Sequence, residues 1–292
     1  MILVVGATGF LGSEICRRLT QAGQSVRGLV RTTSDPNVTS NLKEMGAQLV
    51  EGDLKDKASL VTACQGANAV ISTATVTRSS QAGDSIEATD AAGQQNLIDA
   101  AKTAGVSQFI YVSYSGQIGT DDPLTLAKRS VEQRLQTSGM TYTILRPSYF
   151  IEAWLSPAFG FDYANAKATV YGAGENKLSW ISLGDVAAFA VASLQNPTAQ
   201  NAVLEIGGPD ALSPLEVVTI FEEISGKKFD VQHVPEEALA TQQATAPDSL
   251  QQAFAALMLA YAKGNAIPME ETLRKFPIPL RSVRDYAQQA LG

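Results

Sequence analysis

Near the start of the chain, Gly6-Ala7-Thr8-Gly9-Phe10-Leu11-Gly12 carries three glycines at three-residue spacing. The motif follows a β-branched run, Ile2 to Val5, and opens a helical pattern, which is the setting in which such a turn cradles a dinucleotide pyrophosphate. Gly6 permits the tight turn, Gly9 lets the backbone approach a phosphate, and Gly12 lets the helix lie close to the sheet. The helix N-terminus adds N–H donors and the positive end of its dipole. Gly6, Thr8, Gly9, Phe10 and Leu11 are therefore the first candidate cofactor-binding residues. The spacing is GxxGxxG rather than GxGxxG.

At the end of the second β run, NAD is usually held by an acidic residue on the ribose 2′-OH. This chain has Arg31 there, followed by Thr32, Thr33 and Ser34. A planar guanidinium suits bidentate pairing with phosphate, so the position favours the 2′-phosphate of NADP(H). Gly52-Asp53-Leu54 follows the third run, which places Asp53 and Leu54 to line the adenine. Asp53 is also expected to cap the next helix, a role compatible with the first.

The elements that must position these residues are legible as far as Pro147. Strand-like runs at Ile2–Val5, Ser25–Val30, Ala47–Val50, Ala69–Ser72, Phe109–Val112 and Tyr142–Leu145 alternate with helical patterns. The helices are expected at Leu11–Ala22, Ala58–Cys64, Ser85–Ala104 and Thr125–Ser138, with glycines at 23, 66, 105 and 139 as stops. The alternation predicts an α/β fold, a Rossmann-type parallel sheet with helices on both faces. Beyond Pro147 the pattern becomes irregular. The division expected is a nucleotide-binding domain over 1–150 and a smaller C-terminal substrate lobe over 151–292, part of which returns to the sheet. Ser213-Pro214-Leu215-Glu216 reads as a capping box at the start of a structural helix.

Leu124, Lys128, Val131 and Leu135 fall on one stripe of the helix expected at Thr125–Ser138, so a lysine stands among core-facing residues. Such an ammonium must reach a polar pocket or snorkel to water. The competing expectation is a surface pair with Glu132 at i+4. The lone His233, between Val231 and Val234, has no partner at ligand or triad spacing and is read as structural.

A net charge of −7 without a Lys/Arg run argues against nucleic acid and anionic membranes as partners. Cys16 and Cys64 show no metal-type spacing and are expected to be buried reduced thiols. No His/Cys/carboxylate cluster suggests a metal. The strand at Ile2–Val5 runs straight into glycines and no apolar run approaches about 18 residues, so a soluble cytoplasmic protein is expected.

Lys128-Arg129-Ser130-Val131-Glu132, then Ser138 to Pro147 (SGMTYTILRP) and Phe150, complete a larger pattern. Together with Gly6–Gly12, Arg31 and Gly52-Asp53-Leu54, it resembles the NmrA-like and isoflavone-reductase-like branch of the atypical short-chain dehydrogenases/reductases. Trp180-Ile181, Asp185-Val186-Ala187 and Gly207-Gly208-Pro209 extend the resemblance to about residue 226. It implies NADP(H) bound at the carboxyl ends of the strands, with Thr73 and Ala74 near the middle of the dinucleotide. Tyr149 and Phe150 are implied to lie near the nicotinamide, with hydrophobic packing as their alternative role.

The Tyr-x-x-x-Lys pair of typical relatives is absent, because Leu124 stands four positions before Lys128. The candidate catalytic residues are therefore Lys128, which is also a candidate cofactor contact, and Tyr114 after the fifth strand. The reading is an NADPH-dependent oxidoreductase that reduces a small, largely apolar carbonyl, enone, quinone or aryl-ether compound in a cleft between the sheet and the later lobe. The alternative is a regulatory protein that senses NADP(H) without turnover. Lys128→Met is expected to abolish turnover and leave the fold intact. Arg31→Ala is expected to weaken NADPH about ten- to a hundredfold while sparing NADH, through loss of a charge-assisted pair worth roughly 1.5–3 kcal/mol. Calorimetric titration with both nucleotides checks this, and equal wild-type affinities for the two would overturn it.

Overall fold

The computed structural model describes residues 1–77, 81–118 and 121–292. The first half of the chain alternates as its periodicity requires. It forms β1 (Ile2–Val5), α1 (Phe10–Gln21), β2 (Val26–Val30), α2 (Pro36–Glu44), β3 (Gln48–Glu51), α3 (Lys57–Cys64) and β4 (Ala69–Ser72). A π-helix at Ile86–Gly93 runs directly into α4 (Gln94–Thr103), followed by β5 (Gln108–Val112), α5 (Pro123–Gln136) and β6 (Thr141–Pro147).

Later come β7 (Tyr149–Phe150), α6 (Ile151–Trp154), β8 (Phe161–Asp162), β9 (Lys167–Tyr171), β10 (Leu178–Ile181), α7 (Leu183–Ser193) and β11 (Ala202–Ile206). The chain ends with β12 (Ala211–Leu212), α8 (Pro214–Ser225), β13 (Asp230–Val234), α9 (Glu236–Thr245), α10 (Ser249–Lys263), α11 (Glu270–Lys275) and α12 (Val283–Leu291).

The main sheet has the order β3-β2-β1-β4-β5-β6-β11. Neighbours from β3 to β6 pair in parallel, with Val5 opposite Leu29 on one side and Ser72 on the other. This is the Rossmann-type arrangement. The strand order reverses between β1 and β4, the switch point at which open α/β sheets bind ligands.

Two compact units interleave along the chain. The first comprises residues 1–113, 123–145 and 186–204, and the second 114–122, 146–185 and 205–292. A single boundary near residue 150 does not describe this division, because α7 from Val186 onward and the start of β11 belong to the first unit although they lie late in the sequence.

In the first unit, Leu3, Val5, Phe109, Tyr111, Val131 and Ile144 lie in one continuous core. Cys16 and Cys64 are buried free thiols. Burial pushes the former up to about 12 and the latter up to about 11, so neither forms a thiolate near neutral pH. The second unit holds two three-stranded sheets, β12-β10-β7 and β13-β9-β8, over an aromatic core that includes Tyr149, Phe161, Trp180, Phe221 and Tyr261. Ser213 and Glu216 form the capping box at the start of α8. His233 lies in β13 with Nδ1 2.9 Å from the Gly172 carbonyl.

Two elements differ from the sequence pattern. α2 has almost no apolar stripe, burying Leu42 alone, and is set by its start: Asp35 accepts the Asn37 N–H and Pro36 occupies the first turn. The helix expected over Ser85–Ala104 is divided, with π geometry before Gly93 and α geometry after it. Gly93 is there because the helix lies against the adjacent loop: a Cβ would stand 2.8 Å from the Leu54 side chain and 2.8 Å from the Ala88 carbonyl.

Close approach also fixes Gly12, where a Cβ would stand 2.1 Å from the Gly6 carbonyl oxygen. At Gly9 a Cβ would meet that oxygen at 3.3 Å and nothing else within 4 Å. Gly12→Ala is therefore expected to destabilise the protein by about 3 kcal/mol. Gly9→Ala should cost within about 1 kcal/mol, as an N-cap change. Urea unfolding of the two variants distinguishes them, and equal losses would refute the assignment of Gly12 to helix–turn packing.

Candidate functional site

The glycine turn joins β1 to α1. Gly6 has φ +85°, and a Cβ on it would meet Thr73 Oγ1 at 2.6 Å and the Ala74 nitrogen at 2.9 Å. The backbone after β4 thus rests directly on the turn after β1, and Thr73 N–H donates to the Val5 carbonyl at 2.9 Å. No side chain caps α1 and its first turn holds no acidic residue. By contrast, α2 and α3 are capped by Asp35 and Asp56. A glycine-lined helix start without a carboxylate, beside the switch point of the sheet, fits a bound phosphate. Asp56, not Asp53, caps α3; Asp53 instead accepts the Lys55 N–H at 2.8 Å, in an Asx turn. Leu54 is buried and Asp53 half-buried.

Past the end of β2, Arg31 Nη1 donates to Asp84 Oδ2 at 2.7 Å. Lys55 pairs with the other oxygen of the same carboxylate and lies 3.5 Å from Asp53. Burial raises the Asp84 carboxyl, but the hydrogen bonds from Lys55 and Arg31 outweigh it, holding the group below the ordinary aspartate value. Asp84 is thus ionised at neutral pH.

Lys128 is buried, 5% exposed, and points inward as its helical stripe requires. Its Nζ lies 3.4 Å from Asp90 Oδ1 and 5.6 Å from the centroid of the Tyr111 ring. Glu132, the surface partner considered from the sequence, pairs with Arg129 instead. Asp90 projects from the π-helix, is fully buried, and its second oxygen accepts the Val76 N–H at 2.9 Å. One carboxylate therefore ties the segment after β4 to α5. Gln94 completes the arrangement from the next turn: its Oε1 accepts from Ser72 Oγ at 2.8 Å and its Nε2 donates to the Ala74 carbonyl at 2.9 Å. Asn96 Nδ2 donates to the Leu54 carbonyl at 3.2 Å.

Sequence reasoning missed Asp84, Lys55, Asp90, Gln94 and Asn96. The one local signal for Asp90 is a lone carboxylate within a small-residue stretch, Ala88 to Gly93. Asp84 carries no periodic signal at all. The remaining candidates belong to the second unit. Tyr149 is 2% exposed and packs edge-on against Trp154 and Tyr261, with ring centroids 5.0 and 5.5 Å away, so its ring fills the core rather than a surface. Its hydroxyl is buried with no hydrogen-bond partner among the described residues. Phe150 and Tyr114 are half-buried, the latter against the same aromatic core.

The Lys128–Asp90 pair changes what a Lys128 variant does to the fold. Removing the ammonium leaves a buried carboxylate without its cation, so Lys128→Met is expected to lower the unfolding free energy by about 3 kcal/mol rather than leave stability intact. Adding Asp90→Asn should recover much of that loss. A double-mutant cycle by urea unfolding measures both, and additive losses would exclude the coupling.

The sequence profile of the NmrA-like family matches residues 1–286. The isoflavone reductase homolog IRL of Zea mays is 34% identical over 286 residues, covering 92% of this chain and 88% of its own. An NAD(P)H azoreductase of Xenophilus azovorans is 34% identical over 233 residues, 78% of this chain and 74% of the relative. The NADPH complex of an Escherichia coli NADPH-dependent quinone oxidoreductase shares the fold over 100% of both chains, with a TM-score of 0.81 at 24% identity. By its sequence profile and its full-length relatives, the chain belongs to the NmrA-like family.

Proposed function

We propose that the protein is an NADPH-dependent reductase of small, largely apolar acceptors such as quinones, enones, other carbonyls or aryl ethers. The observation that carries the reading is the uncapped glycine turn at the β1/β4 switch point, with Arg31 just after β2 and Lys55 in the loop after β3. The names of the two relatives, a reductase homolog and an NAD(P)H azoreductase, agree with it.

In this reading the N–H groups at Phe10 and Leu11 hold the pyrophosphate, beside Gly9, whose own N–H donates to the Gly6 carbonyl at 3.0 Å; Leu54 and Asp53 line the adenine, and Arg31 with Lys55 meets the 2′-phosphate. Bound NADPH supplies the hydride. Thr73 and Ala74, anchored by Val5 and Gln94, line the middle of the dinucleotide. Lys128 is the proton donor or the cation that stabilises the oxyanion formed on reduction. Asp90 and the Tyr111 ring hold its ammonium in place, which offsets the absence of the usual tyrosine at Leu124.

Saturable NADPH binding, followed by nucleotide fluorescence, and NADPH oxidation with a panel of quinones and enones are the expected results. In the Asp90→Asn background, Lys128→Met should lower turnover by about 10²–10⁴-fold with nucleotide affinity largely retained. Absence of NADPH binding would refute the cofactor reading. Wild-type turnover in the double variant would remove Lys128 from the chemistry.

A further inference from the structure

Asp84 stands where the proposed nucleotide site needs positive charge. Its side chain is 2% exposed, while Arg31 and Lys55 beside it are 26% and 32% exposed. Arg31 Nη1 binds one carboxylate oxygen at 2.7 Å and Lys55 binds the other. The Gln81 N–H also donates to this group, at 2.9 Å, and the Gln81 side chain accepts from Thr33 Oγ1. The segment around Asp84 is thereby fastened to the residues that follow β2.

A carboxylate with two cationic partners occupies the electrostatic position of a bound anion. It is a carboxylate of the chain's own, so its charge cannot diffuse away. A phosphate monoester brings a charge of about −1.5 to −2 at neutral pH to the same cations. Arg31 and Lys55 together carry two positive charges; Asp84 cancels one, and Asp53, 3.5 Å from Lys55, opposes the other. The 2′-phosphate must therefore displace the Asp84 carboxylate from its partners or sit against it, and either event costs affinity. A ribose bearing a 2′-hydroxyl meets no such penalty.

We propose that Asp84 is a built-in counter-anion of the 2′-phosphate site, which weakens binding of NADPH relative to NADH and so sets the ratio of the two affinities. This rests on the reading of Arg31 as the 2′-phosphate residue. The consequence is specific: neutralising Asp84 strengthens the 2′-phosphorylated ligand and leaves the unphosphorylated one alone.

The test is calorimetric titration of wild type, Asp84→Asn and Asp84→Ala with adenosine 2′,5′-bisphosphate, NADPH and NADH. Asn retains an acceptor for the Gln81 N–H, and Ala removes the charge without adding a polar group. Circular dichroism and urea unfolding verify that each variant is folded. About tenfold tighter binding of the bisphosphate and of NADPH, with NADH unchanged, is expected in both variants. Lys55→Ala should also cost more NADPH affinity in the Asp84→Asn background than in wild type, because Lys55 is no longer shared. Unchanged or weaker bisphosphate and NADPH binding in the folded variants overturns the role of Asp84 while leaving the cofactor reading in place. If neither ligand binds to wild type or to the variants, the cofactor reading fails and the proposal falls with it.

Discussion

The closest constraint in the first unit is the contact between the start of α1 and the turn after β1. A single carbon added at Gly12 would stand 2.1 Å from the Gly6 carbonyl oxygen, so no side chain fits between helix and turn. Three consequences follow from this contact. α1 begins immediately above the end of β1, its N–H groups face outward from the carboxyl edge of the sheet, and Gly6 is left against Thr73 and Ala74 at the end of β4. The β1/β4 switch point is thus a packed object, in which two strand ends and one helix start determine each other's positions.

Buried charge supplies the second layer of organisation. Asp90 is fully buried, a costly place for a carboxylate unless it is paired and hydrogen-bonded. It meets that condition with the Lys128 ammonium and the Val76 N–H. A pair of this kind adds little net stability compared with apolar side chains of the same volume, but it is directional. The π-helix from which Asp90 projects and the amides of Gln94 and Asn96 hold the segments after β3 and β4 by their backbones. π-helical turns occur frequently at functional sites, and here the turn places a carboxylate between the loop after β4 and the lysine of α5.

At the far end of the same edge, the balance of charge differs. Arg31, Lys55, Asp53 and Asp84 are only partly shielded as a group, and their attraction is reduced by solvent and salt. The Lys128–Asp90 pair is closed off from water, whereas Arg31 and Lys55 are 26% and 32% exposed.

The sequence by itself determined whatever depends on short periods. The alternation up to Pro147, the glycine turn, the capping box at Ser213 and the inward stripe carrying Lys128 all arise from contacts within a few residues, which the 3.6- and 2-residue repeats encode directly. The same repeats were silent for α2, whose exposed faces needed no apolar stripe, and for the π-helix, whose Gly93 lies against Leu54, 39 residues earlier. Only the tertiary structure decided the partners of Lys128 and Arg31. Lys128 could reach Glu132 along its own helix, yet it pairs with Asp90, 38 residues earlier; Arg31 pairs with Asp84, 53 residues later. An ion pair is selected by distance and burial in space, and chain segments so far apart become neighbours only when the parallel sheet brings their strand ends to one edge.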